Sequence, residues 1–160
     1  MHYTISYLAD HPEFIDTLAP WITRHWQPLV TDETLVARIE KLSAHLQYTT
    51  LPLAMAAHDN SMVLGTAALR RHDLPGREDL TPWLGGVFVG EAYRNRGVGR
   101  ALCAAIETTA RCVFQISTLY LFTIDKTQWY LRSGWEILEP CQWQGVTGNI
   151  MVKSLGTVSQ

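Results

Sequence analysis

Short segments that are apolar or alternate between apolar and polar residues recur along the chain at the spacing of a sheet-forming protein. Residues 4–8 alternate, which is typical of a strand with one buried face. Most of the other segments are continuous apolar runs, as expected of strands buried on both faces. The predicted strands cover residues 4–8, 52–57, 62–69, 83–89, 119–122, 135–138 and 149–154.

Helical periodicity separates the first two of these strands. Pro12 begins the first helical segment, because proline fits the first turn of a helix, and Pro20 predicts a kink or a restart within it. Thr31 and Asp32 are predicted to cap a second helix, in which leucine and isoleucine recur every three or four residues. The turn-forming pair Asp59-Asn60 then predicts an antiparallel hairpin between the second and third strands.

Two further helices are predicted in the second half of the chain. A long amphipathic helix begins at Gly97, and a short helix over residues 127–132 is expected to end at Gly134. Residues 70–82 are polar and contain two prolines, so they are predicted to form an exposed loop. The resulting order, β-α-α-β-β-β-α-β-α-β-β, predicts one mixed α/β domain over residues 1–160.

Composition narrows the classes of function. A chain of 160 residues is long enough for one domain, and a net charge of −2 argues against general binding of nucleic acid. Cys103, Cys112 and Cys141 are odd in number and lack the spacing of a metal or redox site, so reduced thiols and no bound metal are expected. No apolar run approaches the roughly 20 residues that span a bilayer. We therefore expect a cytoplasmic protein with neither a nucleic acid nor a membrane as partner.

The segment from the fourth predicted strand into the long helix is suited to binding a phosphate group. The first N–H groups of a helix have no partners within it, and the helix dipole adds partial positive charge there. Gly97 and Gly99 lack a Cβ, so an anion can approach the backbone closely. Arg94, Arg96 and Arg100 surround the turn with guanidinium groups suited to phosphate oxygens.

Two common phosphate-binding motifs do not fit this loop. It lacks the Lys and the Ser or Thr of a P-loop, and Leu102 stands where a dinucleotide fingerprint needs its third glycine. The spacing Arg94-x-x-Gly97-x-Gly99 instead resembles the acetyl-CoA-binding motif of the GNAT N-acetyltransferases, Arg/Gln-x-x-Gly-x-Gly/Ala, which also follows a strand. The alternative is a strand-loop-helix corner whose arginines are merely solvated.

A second segment strengthens the resemblance. In GNAT proteins the fifth strand is followed by a short helix with an aromatic-Tyr pair and, four residues later, a Gly-aromatic pair. Trp129-Tyr130 and Gly134-Trp135 match this pattern. The usual Asn is absent, and Asp125 lies near its position.

The resemblance implies the fold and the cofactor. It implies a mostly antiparallel mixed sheet whose fourth and fifth strands run parallel and splay apart, with helices on both faces and a bulge near Phe88. It also implies that acetyl-CoA binds in the gap, with its pantetheine on the backbone of the fourth strand and its pyrophosphate on the loop. The cofactor-binding residues expected on this basis are Val87, Phe88, Val89, Arg94, Asn95, Arg96, Gly97, Val98, Gly99, Arg100, Asp125 and Gln128.

The implied reaction is direct transfer of an acetyl group to a primary amine. Tyr130 is the expected general acid for the departing thiolate. Because an ordinary tyrosine pKa of ~10 exceeds a thiol pKa of ~8.5, Tyr130 either has a lowered pKa or chiefly donates a hydrogen bond. The base is less defined: Asp73, directly after the third strand, is preferred, with Glu78, Asp79, His25 and His72 as further candidates.

The acceptor is expected between the first two helices, the loop over residues 70–82 and the C-terminal strands. Trp26 and Trp83 are expected to line it, together with Trp21 and Trp143, and the acidic residues of the loop favour a cationic amine. A small molecule and a peptide both remain open. Other readings are a catalytically silent CoA-binding sensor and an unrelated phosphate-binding protein. The apolar C-terminal strands could also pair across a homodimer, since an exposed strand edge invites a partner.

Overall fold

The computed structural model describes residues 2–156, which form seven strands and four α-helices. Three single turns of 3-10 helix, Leu8–Asp10, Pro12–Phe14 and Glu91–Tyr93, lie between them. In chain order the main elements are β1 (Thr4–Tyr7), α1 (Ile15–Trp26), α2 (Leu35–Ser43), β2 (Leu53–Asp59), β3 (Met62–Arg70), β4 (Trp83–Val89), α3 (Val98–Phe114), β5 (Thr118–Thr123), α4 (Thr127–Leu131), β6 (Glu136–Trp143) and β7 (Val146–Ser154). This is the predicted order of elements.

All seven strands join one sheet in the order β1-β2-β3-β4-β5-β7-β6. Every neighbouring pair is antiparallel except β4 and β5, which are parallel. These two strands share a single residue pair, Trp83 with Tyr120, and the Tyr120 N–H donates to the Pro82 carbonyl at 3.1 Å. Beyond this point β4 and β5 separate, so the predicted mixed sheet with a splay between its fourth and fifth strands is confirmed.

A β-bulge lies where β4 leaves its partner. Thr66 of β3 pairs with Phe88, but Ala68 pairs with Gly85, so Gly86 and Val87 together oppose one residue of β3. Gly86 has a φ of 57°, a left-handed conformation that glycine adopts without the cost of a Cβ clash. The bulge expected near Phe88 therefore occupies the two residues before it.

Helices cover both faces of the sheet, as predicted. On one face, Leu102 and Ile106 of α3 are fully buried against Leu53 and Leu69 of the sheet. On the other face, α1 and α2 pack through a second cluster that includes Leu18, Ile22, Leu42, Ala54, Ala68 and Phe88. Alternate residues of β3 thus point to different helical layers, because successive side chains of a strand face opposite sides.

Three local predictions are corrected by the structure. α1 continues through Pro20, so the predicted restart is wrong. A proline in the second turn removes only one backbone hydrogen bond, and the burial of the apolar face of α1 outweighs that loss. α2 is capped by Thr34, whose Oγ1 accepts from the Ala37 N–H at 3.0 Å, and not by Thr31 and Asp32. The loop after β3 is exposed only in part, because Leu74 is buried.

The edge strand β6, the cysteines and the helices concern the predicted dimer, the thiols and the relation to a membrane. β6 forms one edge of the sheet and exposes Ile137 and Leu138. Whether this edge pairs with a second copy stays a prediction, which light scattering tests. All three cysteines are free thiols. None of the helices in residues 2–156 combines the length and apolar character needed to cross a bilayer.

Candidate active site

The loop between β4 and α3 presents an open helix N-terminus. Gly97 stands before the first residue of α3 with a φ of 81°, and Asn95 has a φ of 64°. No side chain caps the helix, and its first turn contains no acidic residue. A Cβ placed on Gly97 would have no atom within 4 Å, so the space in front of the first helical N–H groups is open. These features suit an anionic ligand.

The three arginines of the loop are exposed, and two already make contacts. Arg94 Nε donates to the Val89 carbonyl at 3.0 Å, and its guanidinium lies 5.6 Å from the centre of the Phe88 ring. The Arg100 guanidinium lies 5.6 Å from the centre of the Trp129 ring. The loop therefore joins β4, α3 and α4 while leaving cationic groups at the surface.

The other predicted cofactor residues lie around the gap between β4 and β5. Val87 and Val89 are half-buried on β4, and Asp125 and Gln128 are exposed at the beginning of α4. Val98 is buried, so its side chain cannot contact a ligand and only its backbone N–H remains available. A splayed pair of strands leading to an uncapped helix N-terminus fits an elongated ligand with a phosphate group at one end.

Tyr130 is buried on α4 between aromatic rings and α3. Its ring lies edge-on to Trp129 at 4.8 Å and to Trp135 at 6.0 Å. Burial, and then the neighbouring Cys103 thiol, raise the pKa of Tyr130 above its ordinary value. The alternative of a lowered tyrosine pKa therefore does not hold, and the phenol keeps its proton. Burial also raises the pKa of the Cys103 thiol to about 12.

A cavity of about 230 Å³ lies beside Tyr130. Its walls include Arg100 and Glu107 of α3 and Lys153 of β7, and Lys153 Nζ lies 2.7 Å from Glu107 Oε1. Ser133 Oγ and Trp135 Nε1 also belong to residues that line it, and both atoms are buried with no hydrogen-bond partner among the described residues. The sequence did not predict this cavity, since its lining comes from three separate stretches of the chain.

A second polar cluster lies on the α1 and α2 face of the sheet, and of its members only Asp73 was predicted from the sequence. Arg70, the last residue of β3, is 9% exposed. Its Nε donates to His45 Nε2 at 2.9 Å, and its Nη1 donates to Asp73 Oδ1 at 2.7 Å. His45 Nδ1 in turn lies 2.6 Å from the Lys41 carbonyl, which fixes the ring as the neutral tautomer with its proton on Nδ1. Arg70 and His45 were missed, because the sequence placed Arg70 in an exposed loop and gave no signal that joins it to His45.

Burial and neighbouring charges lower the pKa of His45 and of the nearby Lys41. Burial, followed by the positive charge of Arg70, lowers the pKa of His45 to about 4. Desolvation, and then the charges of Arg70 and Arg38, lower the pKa of Lys41. Arg38 is itself paired with Glu33 at 2.7 Å. The imidazole of His45 is therefore neutral at physiological pH and serves as a hydrogen-bond acceptor for Arg70.

The remaining base candidates lie in different surroundings. Asp79 is exposed and forms an ion pair with Arg77, which also contacts Glu139 of β6. Glu78 Oε1 accepts from the Gly76 N–H at 3.2 Å. Asp73 is paired with Arg70 and Asp79 with Arg77, and the preference for a cationic acceptor stays a prediction.

The two predicted histidines are exposed, and they differ in their surroundings. The His25 ring lies 5.5 Å from the Phe88 ring. Burial, and then the charge of Arg94, lower the pKa of His25. Among the described contacts, His72 has no aromatic or charged partner. His25 is therefore the histidine next to β4.

Of the tryptophans predicted to line the acceptor site, three pack against other aromatic rings, and Trp83 belongs to the core. Trp26 at the end of α1 meets Trp143 at the end of β6 edge-to-face, with ring centres 5.6 Å apart. Trp21 packs near Phe88. Trp83 is 0% exposed, and its Nε1 donates to the Leu80 carbonyl at 2.7 Å. Trp83 thus has no exposed surface with which to contact an acceptor, because it belongs to the core beneath the loop.

Comparison with known proteins identifies relatives of this architecture. The model of the acetyltransferase (GNAT) family matches residues 14–134. Among solved structures, an aminoglycoside 6'-acetyltransferase type Ii superposes with a TM-score of 0.75, at 19% identity over 98% of this chain and 99% of that chain. A GNAT-family acetyltransferase from Staphylococcus aureus Mu50 superposes with a TM-score of 0.71, at 18% identity over 97% of this chain and 100% of that chain. A PaiA N-acetyltransferase from Thermoplasma acidophilum, in complex with coenzyme A, superposes with a TM-score of 0.71, at 15% identity over 96% of this chain and 99% of that chain.

Proposed function

Because the chain belongs to the acetyltransferase (GNAT) family and uses acetyl-CoA as co-substrate, we propose that it transfers the acetyl group directly to a primary amine of a small molecule or peptide. The observation that carries this proposal is the opening between β4 and β5. The two parallel strands share one residue pair, and the gap beyond it leads towards the uncapped N-terminus of α3. One similar structure is that of an N-acetyltransferase, which supports nitrogen as the atom acetylated.

In this proposal each part of the opening has a separate task. The backbone of Val87 and Val89 binds the pantetheine amides, and the N–H groups from Asn95 to Arg100 bind the pyrophosphate. The bound cofactor supplies an acetyl group activated as a thioester. The bulge at Gly86 turns β4 so that its backbone faces the gap, which is where an amine would meet this group.

Two side chains handle protons in the proposed reaction. Tyr130 keeps its phenolic proton, because burial raises its pKa, and it donates that proton or a hydrogen bond to the departing sulfur. Asp73, held against Gly85 by Arg70, accepts a proton from the amine. Deprotonating an ammonium group with a pKa of ~10.4 costs about 4.6 kcal/mol at pH 7, so the amine needs a nearby carboxylate to accept its proton.

Thermal melting with acetyl-CoA, CoA and ATP tests the cofactor assignment. A ligand present at one hundred times its Kd adds about 2.7 kcal/mol, or a Tm rise of roughly 5–10 °C for a domain of this size. We expect a rise with acetyl-CoA and CoA and none with ATP. A larger rise with ATP would instead support an unrelated phosphate-binding protein.

Release of free thiol against a panel of primary amines tests the transfer itself. We expect release that depends on both acetyl-CoA and amine, with a product heavier by one acetyl group in mass spectrometry. Binding of acetyl-CoA without release against any amine would contradict transfer and favour the catalytically silent sensor.

A further inference from the structure

Arg70 directs one unused guanidinium nitrogen at the bulge of β4. Its Nε is bonded to His45 and its Nη1 to Asp73, whereas Nη2 has no hydrogen-bond partner among the described residues. A Cβ placed on Gly86 would lie 2.7 Å from this Nη2. Gly86 is exposed, so a ligand lying over the bulge meets an unused cationic donor.

The backbone of β4 is adapted to this contact. In a regular strand Gly85 and Gly86 would face opposite sides of the sheet. Here a Cβ on Gly85 would lie 2.9 Å from both Arg70 Nη1 and Asp73 Oδ1, and one on Gly86 would also meet Arg70. The bulge therefore turns both glycines towards the same ion pair, and any side chain at either position would displace it.

Charge and position point to the same ligand. Arg38 is paired with Glu33 and Arg70 with Asp73, so these charges balance, and the exposed Lys41 of α2 adds a positive charge to the neighbourhood. A carboxylate on the ligand would balance that charge and fill the free donor of Arg70. Arg70 and Asp73 also lie side by side, which matches a molecule with a carboxylate and an amine on the same carbon.

We infer that the acetyl acceptor is a free α-amino acid, whose carboxylate binds Arg70 and whose amine lies beside Asp73 at the bulge. This inference rests on the proposed function, which puts the acetyl group at the same bulge. One carbon joins the amine and the carboxylate of an α-amino acid, so both fit above Gly85 and Gly86. A peptide N-terminus carries an uncharged amide at that place and leaves Arg70 without its partner.

The side chain of the acceptor meets an apolar surface. Phe122 and Trp143 are half-buried and pack on the buried cluster of Leu74, Trp83 and Ile150. They, and not the buried residues beneath them, are available to an acceptor. Trp26 extends the surface from α1. The favoured amino acids are therefore those with aromatic or large aliphatic side chains.

The test compares acceptors that differ only in the carboxylate. Thiol release by the wild-type protein is measured with L-phenylalanine, phenethylamine and L-phenylalaninamide, and with L-leucine, 3-methylbutylamine and L-leucinamide. We expect kcat/KM for the amino acid to exceed that of both carboxylate-free partners by about 10²-fold, the size of a lost hydrogen bond between two charged groups.

Variants assign the effect to Arg70. In Arg70→Gln, KM for the amino acid should rise by about 10²-fold and the preference over the amine should disappear, with the Tm rise in acetyl-CoA retained. Arg71→Gln removes the same charge from the exposed neighbouring residue and should leave the preference intact. If Arg70→Gln does not fold, the wild-type comparison decides alone.

The outcomes separate the two proposals. Equal use of amino acid and amine, or use of the amines alone, would overturn the inference and leave the acetyltransferase proposal standing. Acetyl-CoA binding without transfer to any compound of the panel, including the remaining common amino acids, would overturn both.

Discussion

Arg70 Nε donates a 2.9 Å hydrogen bond to His45 Nε2, so a guanidinium ion is buried against a neutral imidazole. The arrangement holds Arg70 in place from α2 while Asp73 holds it from the following loop. Because the imidazole must stay neutral to accept this bond, the pair links the structure of the proposed acceptor site to pH.

The pair predicts a loss of stability in mild acid. The pKa of His45 is lowered from 6.5 to about 4, so the folded protein binds this proton less readily than the unfolded chain. The free energy of unfolding should therefore fall as the pH drops below 6.5, by about 2–3 kcal/mol at pH 4.5 from this group alone. Urea unfolding at several pH values between 7.5 and 4.5 measures this change in the free energy of unfolding.

His45→Gln is the matched control for this titration. A Gln amide oxygen can accept from Arg70 Nε but does not titrate, so the slope between pH 6.5 and 4.5 should become shallower. Parallel curves for the wild type and His45→Gln would show that His45 does not titrate as the structure indicates.

The loop glycine predicts a specific loss of cofactor binding. Gly97→Val adds a side chain in the open space before α3 and strains a residue with a φ of 81° by about 1–3 kcal/mol. Gly76→Val carries nearly the same strain, since Gly76 has a φ of 87° and equally open surroundings. Both variants should melt lower, but only Gly97→Val should lose the Tm rise in acetyl-CoA. An equal rise in both variants would contradict a phosphate site at Gly97.

Tyr130 is predicted to act in turnover and not in binding. Tyr130→Phe removes the phenol but keeps the ring, so turnover should fall by roughly 10²–10⁴ while the affinity for CoA stays nearly unchanged. Tyr48→Phe serves as a control, because Tyr48 is exposed and its hydroxyl bonds Asp10 at 2.6 Å, away from the loop and α4. Unchanged turnover in Tyr130→Phe would leave Tyr130 as a packing residue.

Asp73 is predicted to define the acid limb of the pH–rate profile. Asp73→Asn can still accept a hydrogen bond from Arg70 but cannot take a proton, so turnover should fall by roughly 10²-fold and the acid limb should disappear. Asp79→Asn changes an exposed carboxylate of the same loop and should keep the profile. An unaltered acid limb in Asp73→Asn would exclude Asp73 as the base.

The sequence determined the order and type of the elements and the loop proposed to bind the cofactor. Apolar periodicity and turn residues act between neighbours in the chain, so β4 was bounded correctly at Trp83 and Val89 and α3 within one residue of Gly97. The loop between them is also local, because a strand end, a glycine and a helix N-terminus follow one another directly. The restart predicted at Pro20 was wrong, because the packing of α1 outweighs the helix preference of a single residue.

Only the tertiary structure decided what surrounds the proposed acceptor. The sequence places Arg70 in an exposed loop, but β3 extends to it and pairs it with Trp83, from where its guanidinium reaches Gly85. The fold of α2 brings His45 to its Nε. Trp83 reads as a binding residue, but the sheet buries it completely. These outcomes depend on contacts between residues far apart in the chain, whose free energy is gained only when the whole fold forms.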